Sequence, residues 1–107
     1  MQGTARPDWR RIYRKKPSVS RRQVHGETFL VPVEDELARM HRMVALNPIG
    51  AFIWDELDGE RDLAAIHREL IETFEVSAEE AREDLSDYVE RLLAAGLVEL
   101  REEAAKR

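Results

Sequence analysis

The sequence predicts an α+β domain, with an N-terminal three-stranded antiparallel sheet followed by three helices. Three observations carry this. Apolar residues alternate only before Asn47, the pattern of half-buried strands. After Asn47 they recur at helical spacing. The helical segments are bounded by cap and stop residues at Asn47, Asp62, Ser77 and Gly96. The order has the look of a small winged helix-turn-helix with its sheet at the front.

Residues 1–17 show no apolar periodicity, and Trp9, Ile12 and Tyr13 stand isolated among Arg and Lys. They read as a basic flexible arm broken by Pro7 and Pro17. Ser18–His25 makes a first strand with a turn at Gly26. Thr28–Val33 makes a second, with Phe29, Val31 and Val33 on one face. Pro32 lacks a donor, which puts this strand at an edge or ends it there. The third strand spans Ala38–Leu46. Ala38, Met40, Val44 and Leu46 share one face, interrupted by Arg42, and Arg39, His41 and Met43 take the other.

Asn47 caps the first helix and Pro48 occupies its first position, where a missing N–H costs nothing. Ile49, Phe52, Ile53 and Leu57 form its apolar face, and Asp58-Gly59 stops it. The second helix runs from its cap Asp62 to Phe74, burying Leu63, Ile66, Leu70 and Phe74. Ser77 and Glu80 form a capping box for the third, whose apolar face is Ala81, Leu85, Tyr88, Val89 and Leu92. Gly96 ends it, Leu97–Leu100 reads as a short terminal strand or an extended segment packing back, and residues 101–107 form a frayed tail.

The totals narrow the function classes. At 107 residues the chain holds one modest core. It has no cysteine, so thiolate chemistry and disulfides are excluded, which fits a cytoplasmic setting. No apolar run reaches membrane-spanning length. The histidines His25, His41 and His67 fall on separate elements without metal-ligand spacing. No nucleophile–base set or phosphate-binding glycine loop is present, so no catalytic residue, metal or cofactor is expected. Charge is divided unevenly. Residues 1–24 hold eight Lys/Arg and one acid, a net of +7, leaving −12 on the remainder of a chain whose total is −5.

Several segments together resemble the PqqD-like family, named for pyrroloquinoline quinone biosynthesis. They are Phe29-Leu30-Val31-Pro32-Val33, then Val44-Ala45-Leu46-Asn47, then Ile53-Trp54-Asp55-Glu56-Leu57-Asp58-Gly59. Ile66, Leu70, the Asp84 position and Leu92 through Gly96-Leu97-Val98 complete the set, over roughly residues 18–100. The resemblance implies a non-catalytic peptide-recognition domain over 18–100. It would act as a chaperone for ribosomally synthesised precursor peptides, presenting them to a modifying enzyme, commonly of the radical S-adenosylmethionine type. In such modules the leader of the precursor adds as a strand to the edge of the third strand, beside the third helix. Here the receiving edge would be Arg39, Met40, His41, Arg42, Met43 and Val44, and the helix wall Asp84, Tyr88, Arg91, Leu92 and Ala95. Main-chain bonds would give affinity and side-chain pockets specificity. The expected state is a monomer or a weak homodimer through an exposed edge.

Two other readings compete. One is a generic protein-binding adaptor. The other is a winged-helix nucleic-acid-binding protein that uses the basic arm. Ser77–Ala95 carries six acids against two bases, a net of −4, which phosphates would repel. Nucleic acid is therefore disfavoured as a partner.

Overall fold

In the computed structural model, which describes residues 9–17, 19–32 and 43–101, the chain opens with a strand, β1 (Ile12–Lys15). A hairpin follows, β2 (Val19–Val24) and β3 (Glu27–Pro32), paired from Val24↔Glu27 to Val19↔Pro32. The register leaves a two-residue turn at His25-Gly26, and both residues have positive φ (53° and 81°). That is the primed turn whose twist matches the flanking strands. β4 (Val44–Leu46) pairs antiparallel with β3, giving the order β2-β3-β4. This is the three-stranded N-terminal sheet the sequence predicts; of the third strand expected over Ala38–Leu46, Val44–Leu46 is strand, Met43 precedes it, and residues 38–42 lie outside the described residues.

Three helices follow: α1 (Pro48–Glu56), α2 (Leu63–Phe74) and α3 (Ala78–Ala94). Their caps are those the sequence indicates. Asn47 Oδ1 accepts from Gly50 N at 2.8 Å, and Asp62 Oδ1 from Ala65 N at 2.9 Å. Ser77 Oγ accepts from Glu80 N at 3.0 Å, while the Glu80 carboxylate accepts from Ser77 N at 3.4 Å. At the end of α3, Leu97 N donates to Leu92 O and Gly96 N to Leu93 O, both at 3.0 Å. That double closure is a Schellman motif, with Gly96 supplying the positive φ of 75°.

A second antiparallel sheet was not foreseen. β1 is its centre, flanked by β5 (Asp58–Asp62) and β6 (Val98–Leu100). Ile12–Lys15 therefore belongs to the fold, although the sequence places it in a basic arm. Tyr13, 5% exposed, is the residue that anchors it in the core. β5 was read only as a helix stop. Its five residues, Asp-Gly-Glu-Arg-Asp, have no strand preference of their own, and pairing with β1 imposes the conformation. The register slips between Ile12 and Arg14. At this irregularity Gly59 (φ 84°) comes so close that an added Cβ would sit 3.3 Å from the Cβ of Arg14.

Pro32 is the last residue of β3 and ends the strand, one of the two readings the sequence allows; β3 itself is the central strand of its sheet and not an edge. The inward face of β3 is Leu30 and Pro32; Phe29 and Val31 are only half-buried, and Val33 lies outside the described residues. Leu30, fully buried, fixes the register, because a one-residue slip would turn it to solvent.

The core lies between the sheets and the helices. Ile53, Leu57, Leu63, Ile66, Leu70, Leu85, Val89, Leu92 and Leu97 are all without exposed surface. α2 and α3 present the apolar stripes predicted for them; Phe74 and Phe52 meet edge-to-face at 5.5 Å, half-buried. Trp54, 5% exposed, completes the interior face of α1.

Candidate functional site

β4 has two long edges, and β3 occupies one of them through Thr28↔Leu46, Phe29↔Ala45 and Leu30↔Val44. Among the described residues no strand pairs with the other edge. Alternate backbone groups of an antiparallel strand point away from its neighbour, so an outer edge of this kind displays N–H and C=O groups to any extended chain that reaches it. Val44 and Leu46 face inward at 7% exposure, which holds the strand in place. Met43 and Ala45 face solvent, and Met43 is 47% exposed, an adaptable apolar surface at the start of the strand.

The C-terminal end of β4 is tied to α3. The Tyr88 hydroxyl donates to Asn47 Oδ1 at 2.8 Å, and the Asn47 N–H points back to the same hydroxyl at 3.4 Å. Since Asn47 Oδ1 also caps α1, one side chain serves the strand end, the helix start and the α3 wall. The Tyr88 ring reaches this position only because residue 50 is glycine. A Cβ there would stand 2.5–2.7 Å from Cζ, Cε1 and Oη of Tyr88.

From Tyr88 the wall continues along α3. Asp84, Tyr88, Arg91 and Ala95 follow at helical spacings of four, three and four, one stripe of the helix surface. The Arg91 guanidinium lies over the Tyr88 ring, 4.7 Å from its centroid, and Asp87 steadies it at 3.3 Å. Arg91 is exposed, and Asp84 and Ala95 are half-buried. Leu92 has no exposed surface and faces the core, so it supports the wall from behind. Arg39, Met40, His41 and Arg42 lie outside the described residues. The structure thus ties Tyr88, with Arg91 over its ring, to Asn47 at the end of β4; Asp84 and Ala95 share their stripe of α3, Val44 lies in β4 facing inward, and Met43 precedes that strand.

Two residues of this region were not expected to shape it. Asn47 was read as a cap alone, and Gly50 was not singled out. The signal available was Asn-Pro-x-Gly, in which a glycine inside a short helix implies a close neighbour. On the far side of α1, Lys15 donates to Leu57 O at 3.2 Å and sits 5.2 Å from the centroid of a Trp54 ring. Burial lowers the pKa of this ammonium, against the pull of Asp55 and Asp58. Arg21 of β2 pairs with Asp55 at 2.8 Å, so the opposite edge of the N-terminal sheet is strapped to α1.

The profile of one family, described as coenzyme PQQ synthesis protein D (PqqD), matches residues 27–98, two-thirds of the chain. The chain belongs to the PqqD family. The match begins at the first residue of β3 and takes in β4, all three helices and the start of β6, so the β4 edge and the α3 wall of this PqqD-family protein both lie inside it. No curated protein matches the chain. A solved structure, described as TbiB1 in complex with the TbiA(beta) leader peptide, shares the fold. The TM-score is 0.61 at 19% identity, covering 85% of this chain and 98% of that one.

Proposed function

We propose that this protein is a non-catalytic peptide-binding chaperone. It captures the leader of a ribosomally synthesised precursor peptide by strand addition and presents it to a modifying enzyme of the radical S-adenosylmethionine type. The observation that carries the reading is the outer edge of β4 beside the Tyr88–Arg91 wall, in a PqqD-family fold. The similarity to TbiB1, a protein solved with a leader peptide bound, supports it. The leader would lie antiparallel or parallel to β4, satisfying its outward N–H and C=O groups, with Met43 offering an apolar contact and Arg91 a charged one. Arg39 and Arg42, earlier on the same stretch, would attract acidic leader residues. The chain contributes recognition, and the enzyme contributes the chemistry.

The test is backbone amide exchange in the presence of synthetic leader peptides from candidate precursors. Binding should slow exchange at Val44–Leu46 and shift resonances of Tyr88 and Arg91. A peptide that binds while leaving β4 exchange unchanged would overturn strand addition.

A further inference from the structure

A second cluster lies around α3 from the β4 edge. Trp9, Ala64, His67, Arg68 and Arg82 line a cavity of about 250 Å³. Arg82 and Tyr88 are six residues apart, about 120° around the helix and about 9 Å along it, so the two sites are separate.

The cluster is firmly built. Trp9 O accepts from Ala64 N at 3.0 Å and Arg11 O from Leu63 N at 3.2 Å, so the segment before β1 satisfies the first-turn donors of α2. The indole meets His67 edge-on at 5.4 Å, and the Arg82 guanidinium lies 5.7 Å from its centroid. His67 Nε2 donates to Ala78 O at 2.9 Å, which fixes the imidazole between α2 and α3.

The lining of this cavity holds two arginines and no carboxylate, whereas a separate concavity that Arg82 also borders is lined by Glu79, Glu83, Asp87 and Glu90, so the positive character is local to the Trp9 cavity and does not extend to α3 as a whole. The chain carries 22 acids and 17 Lys/Arg, yet among the described residues neither Arg68 nor Arg82 has a carboxylate partner. Both are exposed. Arginines on two different helices, an imidazole and an indole make a surface for carboxylates carried on a chain with some apolar body. The cavity is larger than a small anion needs. We infer that Trp9, His67, Arg68 and Arg82 form a docking point for an acidic peptide segment of a protein partner, one that remains accessible when the β4 edge is occupied. The inference stands independently of the leader-binding reading, since it uses none of the same residues.

The test uses the full-length protein, labelled with nitrogen-15 and titrated at low salt with hexaglutamate, hexalysine or inorganic phosphate. Hexaglutamate should shift the Trp9 indole resonance saturably and leave that of Trp54 in place. Arg68→Gln with Arg82→Gln should weaken the affinity roughly tenfold or more, the scale of a lost charge-assisted contact. Arg22→Gln, on exposed β2, should leave it unchanged. An unaltered affinity in the double variant overturns the inference, as does an equal loss in Arg22→Gln, which would mean diffuse charge attraction. Equal shifts from hexalysine overturn it too, and so does phosphate saturating the Trp9 resonance at lower concentration than the peptide. Spectral dispersion matching wild type shows that each variant is folded.

Discussion

Tyr88 and Asn47, 41 positions apart, share a 2.8 Å hydrogen bond that joins the middle of α3 to the last turn of chain before α1. It is the fixed point of the candidate site, because it sets the distance between the β4 edge and the α3 wall. Tyr88→Phe removes this bond and leaves the Asn47 N–H without its acceptor. Asn47 Oδ1 keeps its bond to Gly50, so the helix cap survives. The expected cost is about 1 kcal/mol, read as a lower urea midpoint with an unchanged slope.

Gly50→Ala should cost more. The new methyl would lie 2.5 Å from Tyr88 Cζ, and the ring is held by packing and by its hydroxyl bond. Overpacking of this kind costs about 1–3 kcal/mol, offset in part by the better helix propensity of alanine, about 1 kcal/mol. A double-mutant cycle with Tyr88→Ala checks the cause. If the ring is the obstacle, the cost of Gly50→Ala disappears or reverses when Tyr88 is truncated.

Trp54→Ala removes a side chain that is 5% exposed and carries the Lys15 ammonium against its ring. A loss of about 3–5 kcal/mol follows from cavity formation. A melting temperature close to wild type would contradict the packing described for α1.

Glu56 supplies a pH dependence. Burial, followed by the neighbouring Glu69 carboxyl, raises its pKa; Arg61, with Nε 3.2 Å from Glu56 Oε1, works the other way. Because the folded state holds this proton more tightly than the unfolded chain, Glu56 favours folding most at pH below the ordinary glutamate range. That contribution is lost as pH rises through the raised value. Glu56→Gln keeps the uncharged shape. Its stability relative to wild type should therefore grow as pH rises across that window, measured by denaturant titration at a series of pH values. A relative stability that falls instead would show that the Arg61 pair dominates.

For peptide recognition, Arg39→Ala with Arg42→Ala should weaken leader binding and leave the fold intact, and Arg91→Ala should do the same from the α3 side. Calorimetric titration with the leader gives the affinity, and the thermal midpoint gives the fold. Unchanged affinity in the Arg39/Arg42 variant would remove those residues from the site.

The helices were legible because their signals are local. Asn47-Pro48, Asp62 and the Ser77/Glu80 box each act within one turn, and each forms the cap its spacing implies. The same holds for the Schellman closure at Gly96. The hidden elements depend on distant partners. Arg14 of β1 pairs with Glu99, and their side chains meet at 2.8 Å across 85 positions, which no window of sequence displays. β5 is polar throughout, so only its neighbour makes it a strand. In β3, alternation sets Phe29 and Val31 on one face, but the buried face is that of Leu30 and Pro32, because burial follows register and not a count of apolar residues. That Asp84, Tyr88, Arg91 and Ala95 share one stripe of α3 follows from their spacing. The Asn47–Tyr88 link does not, since both residues have sufficient local explanations as a cap and a core aromatic.

The placement of β1 between β5 and β6 has a consequence for biosynthesis. Ile12–Lys15 leaves the ribosome early but cannot gain its second flank until Val98–Leu100 has emerged. Closure of that sheet therefore waits for translation of Val98–Leu100, and the step is slow because so long a loop must be closed first. A nascent chain halted after α3 should carry its helices with β1 left half-zipped, vulnerable to protease until Val98–Leu100 arrives.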